Sequence, residues 1–123
     1  MSLSKPEIDF PGGEPPVELE ITDLVVGDGA EAKPGSVVEV HYVGVTFATG
    51  EEFDASWNRG QSFRFPLGAG RVIKGWDEGV AGMKVGGRRK LVIPPNKAYG
   101  AQSPSPLIPP NSTLIFVVDL LGV

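Results

Sequence analysis

Residues 71–87, RVIKGWDEGVAGMKVGG, form the only stretch of this 123-residue sequence whose apolar spacing predicts a helix. Ile73, Trp76 and Val80 fall at positions i, i+3 and i+7, which places them on one helical face. Gly82 can end the helix, because glycine adopts the left-handed conformation of a helix terminus readily. A helix of roughly two turns is not stable alone in water, so its apolar face must pack against another element.

The partner of this helix is predicted to be a sheet, because strand-like segments surround it in the sequence. In residues 36–50, SVVEVHYVGVTFATG, the side chains of Val38, Val40 and Tyr42 share one face. Residues 113–121, TLIFVVDLL, place one apolar row on one side, formed by Leu114, Phe116, Val118 and Leu120. The predicted fold is therefore α+β, with an antiparallel sheet wrapped around one short helix.

The length and composition favour one domain. Hydrophobic residues make up 41% of the sequence and charged residues 21%, which is ordinary for a globular protein. The 17 glycines and 12 prolines favour turns and short strands over long helices. Residues 1–16 are rich in proline, glycine and acids, so we expect a flexible tail there and a folded domain over residues 17–123.

Charge and hydropathy disfavour several classes of partner. The net charge is −4, and no basic stripe is present that would neutralise a run of phosphates, so no nucleic-acid partner is expected. No apolar run approaches the roughly 20 residues of a membrane-spanning helix, so no membrane partner is expected. The N-terminus lacks the pattern of a signal peptide. No long, flat, apolar sheet edge is predicted that would favour oligomers. We therefore expect a cytoplasmic monomer.

Conventional catalytic groups are scarce in this sequence. It contains no cysteine and a single histidine, His41, for which a hydrogen-bonded or surface position on a strand is favoured over a metal ligand or base. No G-x-S-x-G elbow is present, and the glycine-rich PLGAGRVIKG segment lacks the G-K-[ST] ending of a phosphate loop. No metal and no cofactor is predicted.

Bulky aromatic and aliphatic residues are plentiful near the predicted turns. They form either the core alone or the lining of a concave apolar pocket, and composition leaves both interpretations open. The residues concerned are Tyr42, Phe53, Phe63, Phe65, Val72, Ile73, Trp76, Tyr99, Ile108 and Phe116.

Four segments in order, VEVHYVGVTFATGEEFDAS, FPLGAGRVIKGWDEGVAGMKVGGRRKLVIPP, AYGAQ and LIPPNSTLIFVVDLL, resemble the FKBP family of peptidyl-prolyl cis-trans isomerases. The resemblance covers residues 17–123 and suggests a bacterial, single-domain member. It implies a half-barrel sheet around the helix with an apolar cavity between them. It also implies X-Pro peptides and unfolded proteins as substrates, with macrolides such as tacrolimus and rapamycin as inhibitors.

The resemblance implies site residues one by one. Catalytic positions are matched by Tyr42, Asp54, Ile73, Trp76, Tyr99 and Phe116. Substrate-binding positions are matched by Phe53, Phe63, Val72 and Ile108. In family members the residue matching Trp76 forms the cavity floor, and the N–H matching Ile73 and the hydroxyl matching Tyr99 hydrogen-bond bound ligands.

Several local interpretations stay open. Asp54 either orients Tyr42 or pairs with Arg59, or it is an exposed turn acid, and Tyr42 itself fits an ordinary core position. Lys97 and Pro104 depart from the tyrosine and histidine that are common in the family at those positions.

The proline-rich loop SPSPLIPP is also open to two interpretations. It is predicted to form a rigid pocket rim that presents Leu107 and Ile108, with a polyproline partner segment as the alternative.

Three functions are compatible with these residues. An isomerase that binds the twisted amide in an aromatic pocket needs no covalent, acid–base or metal chemistry, which fits the scarcity of catalytic groups. The second candidate is a binding module whose pocket captures a ligand or a partner loop. The third is an acid–base enzyme that uses His41.

Overall fold

The computed structural model describes residues 5–6, 8, 13–103 and 106–123, and its strands form one antiparallel sheet. The strands follow the order β1-β5-β6-β2-β3, and β4 pairs with β2 beside β3. Their bounds are β1 (Glu20–Val25), β2 (Val37–Thr46), β3 (Glu52–Ala55), β4 (Phe63–Pro66), β5 (Arg88–Ile93) and β6 (Leu114–Gly122).

Strand β2 organises the sheet because it pairs with three neighbours. One edge pairs with β6 from Glu39 to Thr46. The other edge pairs first with β4, as far as Val40, and then with β3, from Val43 onward. The change of partner lets β3 and β4 lie on the same edge of β2, and the pocket residues they carry lie near each other.

In the described parts of the chain, two α-helices accompany the sheet, α1 (Ser56–Arg59) and α2 (Lys74–Gly79), together with a 3-10 helix at Pro95–Lys97. The predicted α+β fold, an antiparallel sheet with a short helix against it, is confirmed. Helix α2 ends at Gly79, three residues before Gly82, which has a φ of +89°. Arg89 on β5 donates hydrogen bonds to the carbonyls of Gly79 and Ala81, at 2.8 and 3.1 Å, and these satisfy the helix terminus.

Glycines allow α2 to lie directly against β5. A Cβ atom at Gly75 would lie 2.5 Å from the side chain of Ile93, and one at Gly79 would lie 2.6 Å from Leu91. Real Cβ atoms essentially never approach so closely, so larger residues at either position would push the helix away from the sheet.

The sequence predicted one helix and missed α1. This helix has a single turn, which is too short to show a 3.6-residue period. It begins at Ser56, which is fully buried and whose Oγ accepts a hydrogen bond from the backbone N–H of Tyr42 at 2.7 Å. The short helix therefore fixes the end of β3 against the middle of β2.

The two faces of the sheet bury separate apolar clusters. The inner face lies against α2 and contains the alternating row predicted on β2, namely Val38, Val40 and Tyr42, together with the row predicted on β6, which is confirmed. The outer face buries a smaller cluster, covered in part by Ile8 and Trp57. That cluster consists of Val43, Val45, Phe47, Ala55, Val92 and Ile115.

The described N-terminal residues contact the outer side of the sheet. Lys5 forms an ion pair with Glu52 at 3.0 Å and donates a hydrogen bond to Asn58 at 2.8 Å. Ile8 packs against the outer cluster. The predicted flexibility of residues 1–16 and the domain boundary at residue 17 stay predictions.

Candidate active site

A cavity of about 430 Å³ opens between helix α2, the inner face of the sheet and the loop that precedes the helix. Its volume lies in the range of ligand-binding pockets. The structure brings to it every predicted site residue except Ile108, and it adds Gly70 and Arg71. The full lining is Tyr42, Phe53, Asp54, Phe63, Gly70, Arg71, Val72, Ile73, Trp76, Tyr99 and Phe116.

Aromatic rings in edge-to-face contact build the floor of the cavity. The ring of Trp76, which is 4% exposed, lies 4.9 Å from that of Tyr42 and 5.2 Å from that of Phe116. Phe53 meets Phe116 at 5.5 Å. Gly44 makes room for this pair, because a Cβ atom there would lie 2.6 Å from Phe53 and 2.7 Å from Phe116. The same rings thus serve as core and as cavity wall.

A triangle of hydrogen bonds closes one side of the cavity. The hydroxyl of Tyr42 donates to Asp54 Oδ2 at 2.6 Å. Arg59 donates through Nη1 to Asp54 Oδ1 at 2.5 Å and through Nη2 to the hydroxyl oxygen of Tyr42 at 2.8 Å. Asp54 therefore both orients Tyr42 and pairs with Arg59, two roles that the sequence offered as alternatives to an exposed turn acid.

The triangle fixes the charge of its members at neutral pH. Burial raises the pKa of Tyr42 above its ordinary value, and the hydrogen bond to Asp54 adds to the rise. Burial also acts to raise the pKa of Asp54, but the hydrogen bonds from Tyr42 and Arg59 outweigh it and hold that pKa below its ordinary value. Asp54 is therefore ionised and Tyr42 neutral.

Several donors of the lining residues lack a partner among the described residues, and they include the charged guanidinium of Arg71 and the buried indole N–H of Trp76. Two further donors are neutral and bear on ligand binding. One is the backbone N–H of Ile73, which precedes the first turn of α2. The other is the hydroxyl of Tyr99, a residue that is 36% exposed. Burial raises the pKa of Tyr99, and the negative charge of Asp54 raises it further. The hydroxyl of Tyr99 therefore keeps its proton at neutral pH. Both groups are available to a ligand carbonyl.

The loops that carry these donors are anchored to α2. Asp77 accepts hydrogen bonds from the backbone N–H groups of Gly68 and Gly70, at 2.8 and 3.1 Å, and so holds the loop before Ile73. Lys97 lies 2.5 Å from Glu78 and ties the segment before Tyr99 to the same helix. The lysine at position 97 therefore makes an ion pair, which an uncharged residue there would not form.

The proline-rich loop contributes to the core next to the cavity. Ile108 is buried in the inner cluster and is not among the lining residues. Leu107 is half exposed and lines a separate small groove with residues of the 46–51 turn. Pro104 lies outside the described residues, and the rim function of the loop stays a prediction.

His41 lies on the outer face, away from the cavity. Its ring stacks on Trp57 with a centroid distance of 4.2 Å, and its Nδ1 lies 2.8 Å from Ser56 Oγ. Within the described residues there is no group of three His, Cys, Asp or Glu side chains that could hold a metal ion. The same residues include no helix with the length and apolar character needed to cross a membrane.

Arg71 and Gly70 are the lining residues that sequence reasoning missed. The signal available was proximity, because both directly precede the predicted pair Val72 and Ile73. An exposed arginine in a glycine-rich loop carries no apolar pattern, so nothing else pointed to it.

The sequence is similar to well-defined relatives. Residues 29–121 match the family of FKBP-type peptidyl-prolyl cis-trans isomerases. An FK506-binding protein of Streptomyces anulatus is 62% identical over 124 residues, which cover 100% of both chains. A probable FK506-binding protein of Corynebacterium glutamicum is 57% identical over 121 residues, or 98% of this chain and 99% of that protein.

Solved structures agree with these matches. AtFKBP13 has a TM-score of 0.76 at 43% identity, over 85% of this chain and 91% of that one. FkpA from Escherichia coli has a TM-score of 0.74 at 45% identity, over 84% of this chain and 46% of FkpA. With this fold, this aromatic cavity and these relatives, the chain belongs to the family of FKBP-type peptidyl-prolyl cis-trans isomerases.

Proposed function

We propose that this isomerase accelerates rotation about X-Pro bonds by holding the twisted amide in the aromatic cavity, with no proton transfer and no covalent intermediate. The single observation that supports this mechanism best is the composition of the cavity. Its floor is aromatic, the N–H of Ile73 and the hydroxyl of Tyr99 are neutral donors, and the one carboxylate among its described lining residues, Asp54, is already engaged by Tyr42 and Arg59. The hydroxyl of Tyr42 lies beside the carboxylate of Asp54, but this carboxylate is a poor base, because its pKa lies below its ordinary value and the pKa of Tyr42 lies above its own.

The physical obstacle to rotation is amide resonance, which sets a barrier of roughly 18–20 kcal/mol. At the twisted geometry this resonance is lost, and with it much of the polarity of the amide. An apolar cavity therefore favours the twisted amide over the planar one, relative to water. Catalysis requires such preferential binding of the transition state.

The residues divide the work between holding the ligand and providing a surface. The N–H of Ile73 and the hydroxyl of Tyr99 hold carbonyl oxygens of the substrate, so that one side of the X-Pro bond is fixed while the other rotates. The indole of Trp76 is the surface on which the pyrrolidine ring lies. The hydrogen bonds among Asp54, Arg59 and Tyr42 fix the orientation of the Tyr42 ring beside the indole of Trp76. Asp54 and Arg59 are therefore positioning residues.

A macrolide of the tacrolimus or rapamycin type is expected to occupy the same cavity. The names of the Streptomyces anulatus and Corynebacterium glutamicum relatives describe FK506 binding, and the chain aligns with both over nearly its whole length. The cavity offers such a ligand an aromatic floor and the unpaired donors of Ile73 and Tyr99. Saturating macrolide should raise the thermal midpoint of unfolding, because it binds the folded state alone.

The test follows cis–trans exchange of a short Leu-Pro peptide by NMR or a protease-free fluorescence assay, with and without the protein. We expect acceleration that a saturating macrolide abolishes. Macrolide binding without any acceleration would overturn the proposal and leave a binding module, the second candidate. Acceleration that persists with the macrolide bound would place the reaction outside the cavity.

A further inference from the structure

The two charged side chains that line the cavity differ in whether they have an ion-pair partner. The carboxylate of Asp54 is neutralised by Arg59 at 2.5 Å and also accepts the hydroxyl proton of Tyr42. Arg71, which lines the same cavity, forms no ion pair and no side-chain hydrogen bond with any residue in the described parts of the chain. One positive charge is therefore left uncompensated at the cavity mouth.

Arg71 is close in the chain to the donor proposed to hold the substrate, and both residues line the cavity. Arg71 lies two residues before Ile73, whose free N–H is the donor proposed to hold a substrate carbonyl. The loop that carries both residues is anchored, since Asp77 accepts the N–H groups of Gly68 and Gly70. The guanidinium of Arg71 is therefore carried by an anchored loop next to the proposed binding site of the X-Pro pair. It can meet a substrate side chain that lies beside this pair.

We propose that the cavity selects X-Pro segments with an acidic side chain on a residue next to the X-Pro pair, and that Arg71 binds that carboxylate. The proposal rests on the proposed function and names its substrate class. A guanidinium suits this task, because its planar fork of donors matches the two oxygens of a carboxylate.

The charges around Arg71 favour an anion locally although the whole chain carries −4. At physiological salt, interactions between exposed charges are screened beyond about 8 Å, so distant acids contribute little at the mouth. Lys74, which is also exposed, follows Ile73 and has the same sign as Arg71. The neutral N–H groups of Gly68 and Gly70 orient the carboxylate of the nearby Asp77 without cancelling its charge, but the two cations outnumber this one acid. Arg64, whose side chain is 72% exposed, already has an acidic partner, because it lies 3.5 Å from Glu39.

The size of the expected effect follows from exposure. A solvent-exposed ion pair changes an equilibrium by about twofold to fivefold. We therefore expect kcat/KM for a Glu peptide to exceed that for the matching Gln peptide by about this factor at low salt. Added salt should reduce the ratio toward one. A Lys peptide should be slower than the Gln peptide.

The experiment compares peptides that differ only beside a constant Leu-Pro pair. Glu, Gln or Lys is placed either directly before Leu or directly after Pro, and kcat/KM is measured at low and high salt. The proteins are the unaltered chain, Arg71→Gln, Arg71→Glu and the control Lys84→Glu. Lys84 is an exposed cation outside the cavity, so its variant matches the charge change of Arg71→Glu.

The proposal predicts a Glu-to-Gln ratio above one at one of the two positions, a ratio near one in Arg71→Gln, and a preference for the Lys peptide in Arg71→Glu. Lys84→Glu should keep the ratio of the unaltered chain. Equal rates for Glu, Gln and Lys peptides would overturn this inference while leaving the isomerase proposal intact. A preference that Lys84→Glu removes as fully as Arg71→Glu does would assign it to net charge and also overturn the inference. Absence of acceleration for every peptide would instead overturn the proposed function.

Discussion

The inner and outer faces of the sheet contain similar aliphatic residues, yet only the inner face has the large aromatic cavity. On the inner face, α2 spans six residues and packs against β5, which leaves the aromatic rings near β3 and β4 uncovered. On the outer face, Trp57 and Ile8 pack against the aliphatic cluster. Each face also carries one tryptophan, Trp76 inside and Trp57 outside. The outer side also has a hollow of about 440 Å³, but its described lining has no aromatic ring and consists of Lys5, Pro6, Ile8, Val43, Val45, Gly50 and Glu52. The two hollows therefore differ in the character of their lining more than in their volume, and we assign ligand binding to the inner face.

The largest effect is expected from exchanging each tryptophan for leucine. Trp76→Leu removes the cavity floor, so kcat/KM for a Leu-Pro peptide should fall at least about tenfold, which corresponds to about 1.4 kcal/mol of transition-state stabilisation. Macrolide affinity should fall with it. Trp57→Leu should leave both within about twofold, while thermal denaturation of either variant shows a stability loss of about 1–3 kcal/mol. Equal losses of activity in the two variants would contradict the assignment of function to the inner face.

The next effect separates catalysis from binding. Asp54→Ala removes the acceptor of Tyr42 and Arg59, so kcat/KM should fall about tenfold and macrolide affinity should fall less. The matched control is Glu52→Ala on the same strand, whose carboxylate pairs with Lys5 on the outer side. It should keep the activity of the unaltered chain. Equal losses of turnover and affinity in Asp54→Ala would favour the binding module.

A smaller effect is expected from the tie between Lys97 and Glu78. Both side chains are partly exposed, so their ion pair is worth roughly 0.2–1 kcal/mol. Lys97→Met should raise KM for a Leu-Pro peptide by about twofold, because the segment before Tyr99 is less restrained, with little change in kcat. Glu78→Gln should do the same, and the double variant should add nothing further. Additive effects would show that the two residues act separately.

The sequence predicted the architecture because side-chain alternation is local. The rows on β2 and β6 have a two-residue period, so their common face could be recognised before any contact was known. Helix α2 was recognised in the same way from its apolar spacing. Helix α1 was not, because one turn has no period, and its role depends on Ser56 meeting Tyr42 from 14 residues away.

The site was predicted unevenly for a related reason. Aromatic residues near turns indicated a pocket, but composition did not distinguish a pocket from a core, and Trp76 and Phe116 turn out to belong to both. The contacts of Asp54 could not be predicted from the sequence, because they depend on helix α1 bringing Arg59 back to the side of Tyr42. Arg71 is exposed at the cavity and Ile108 is buried in the core. Both outcomes depend on how their loops fold, which the sequence pattern does not specify.

Whether the cavity acts without proton transfer can be measured from the pH dependence of kcat/KM for a Leu-Pro peptide between pH 6 and 8. The pKa of Asp54 lies below its ordinary value of about 3.9, and those of Tyr42 and Tyr99 lie above theirs of about 10, so none of these three groups changes charge in this range. We expect a flat profile for the unaltered chain and for His41→Ala. A steep slope in this range that His41→Ala abolishes would contradict a mechanism without proton transfer.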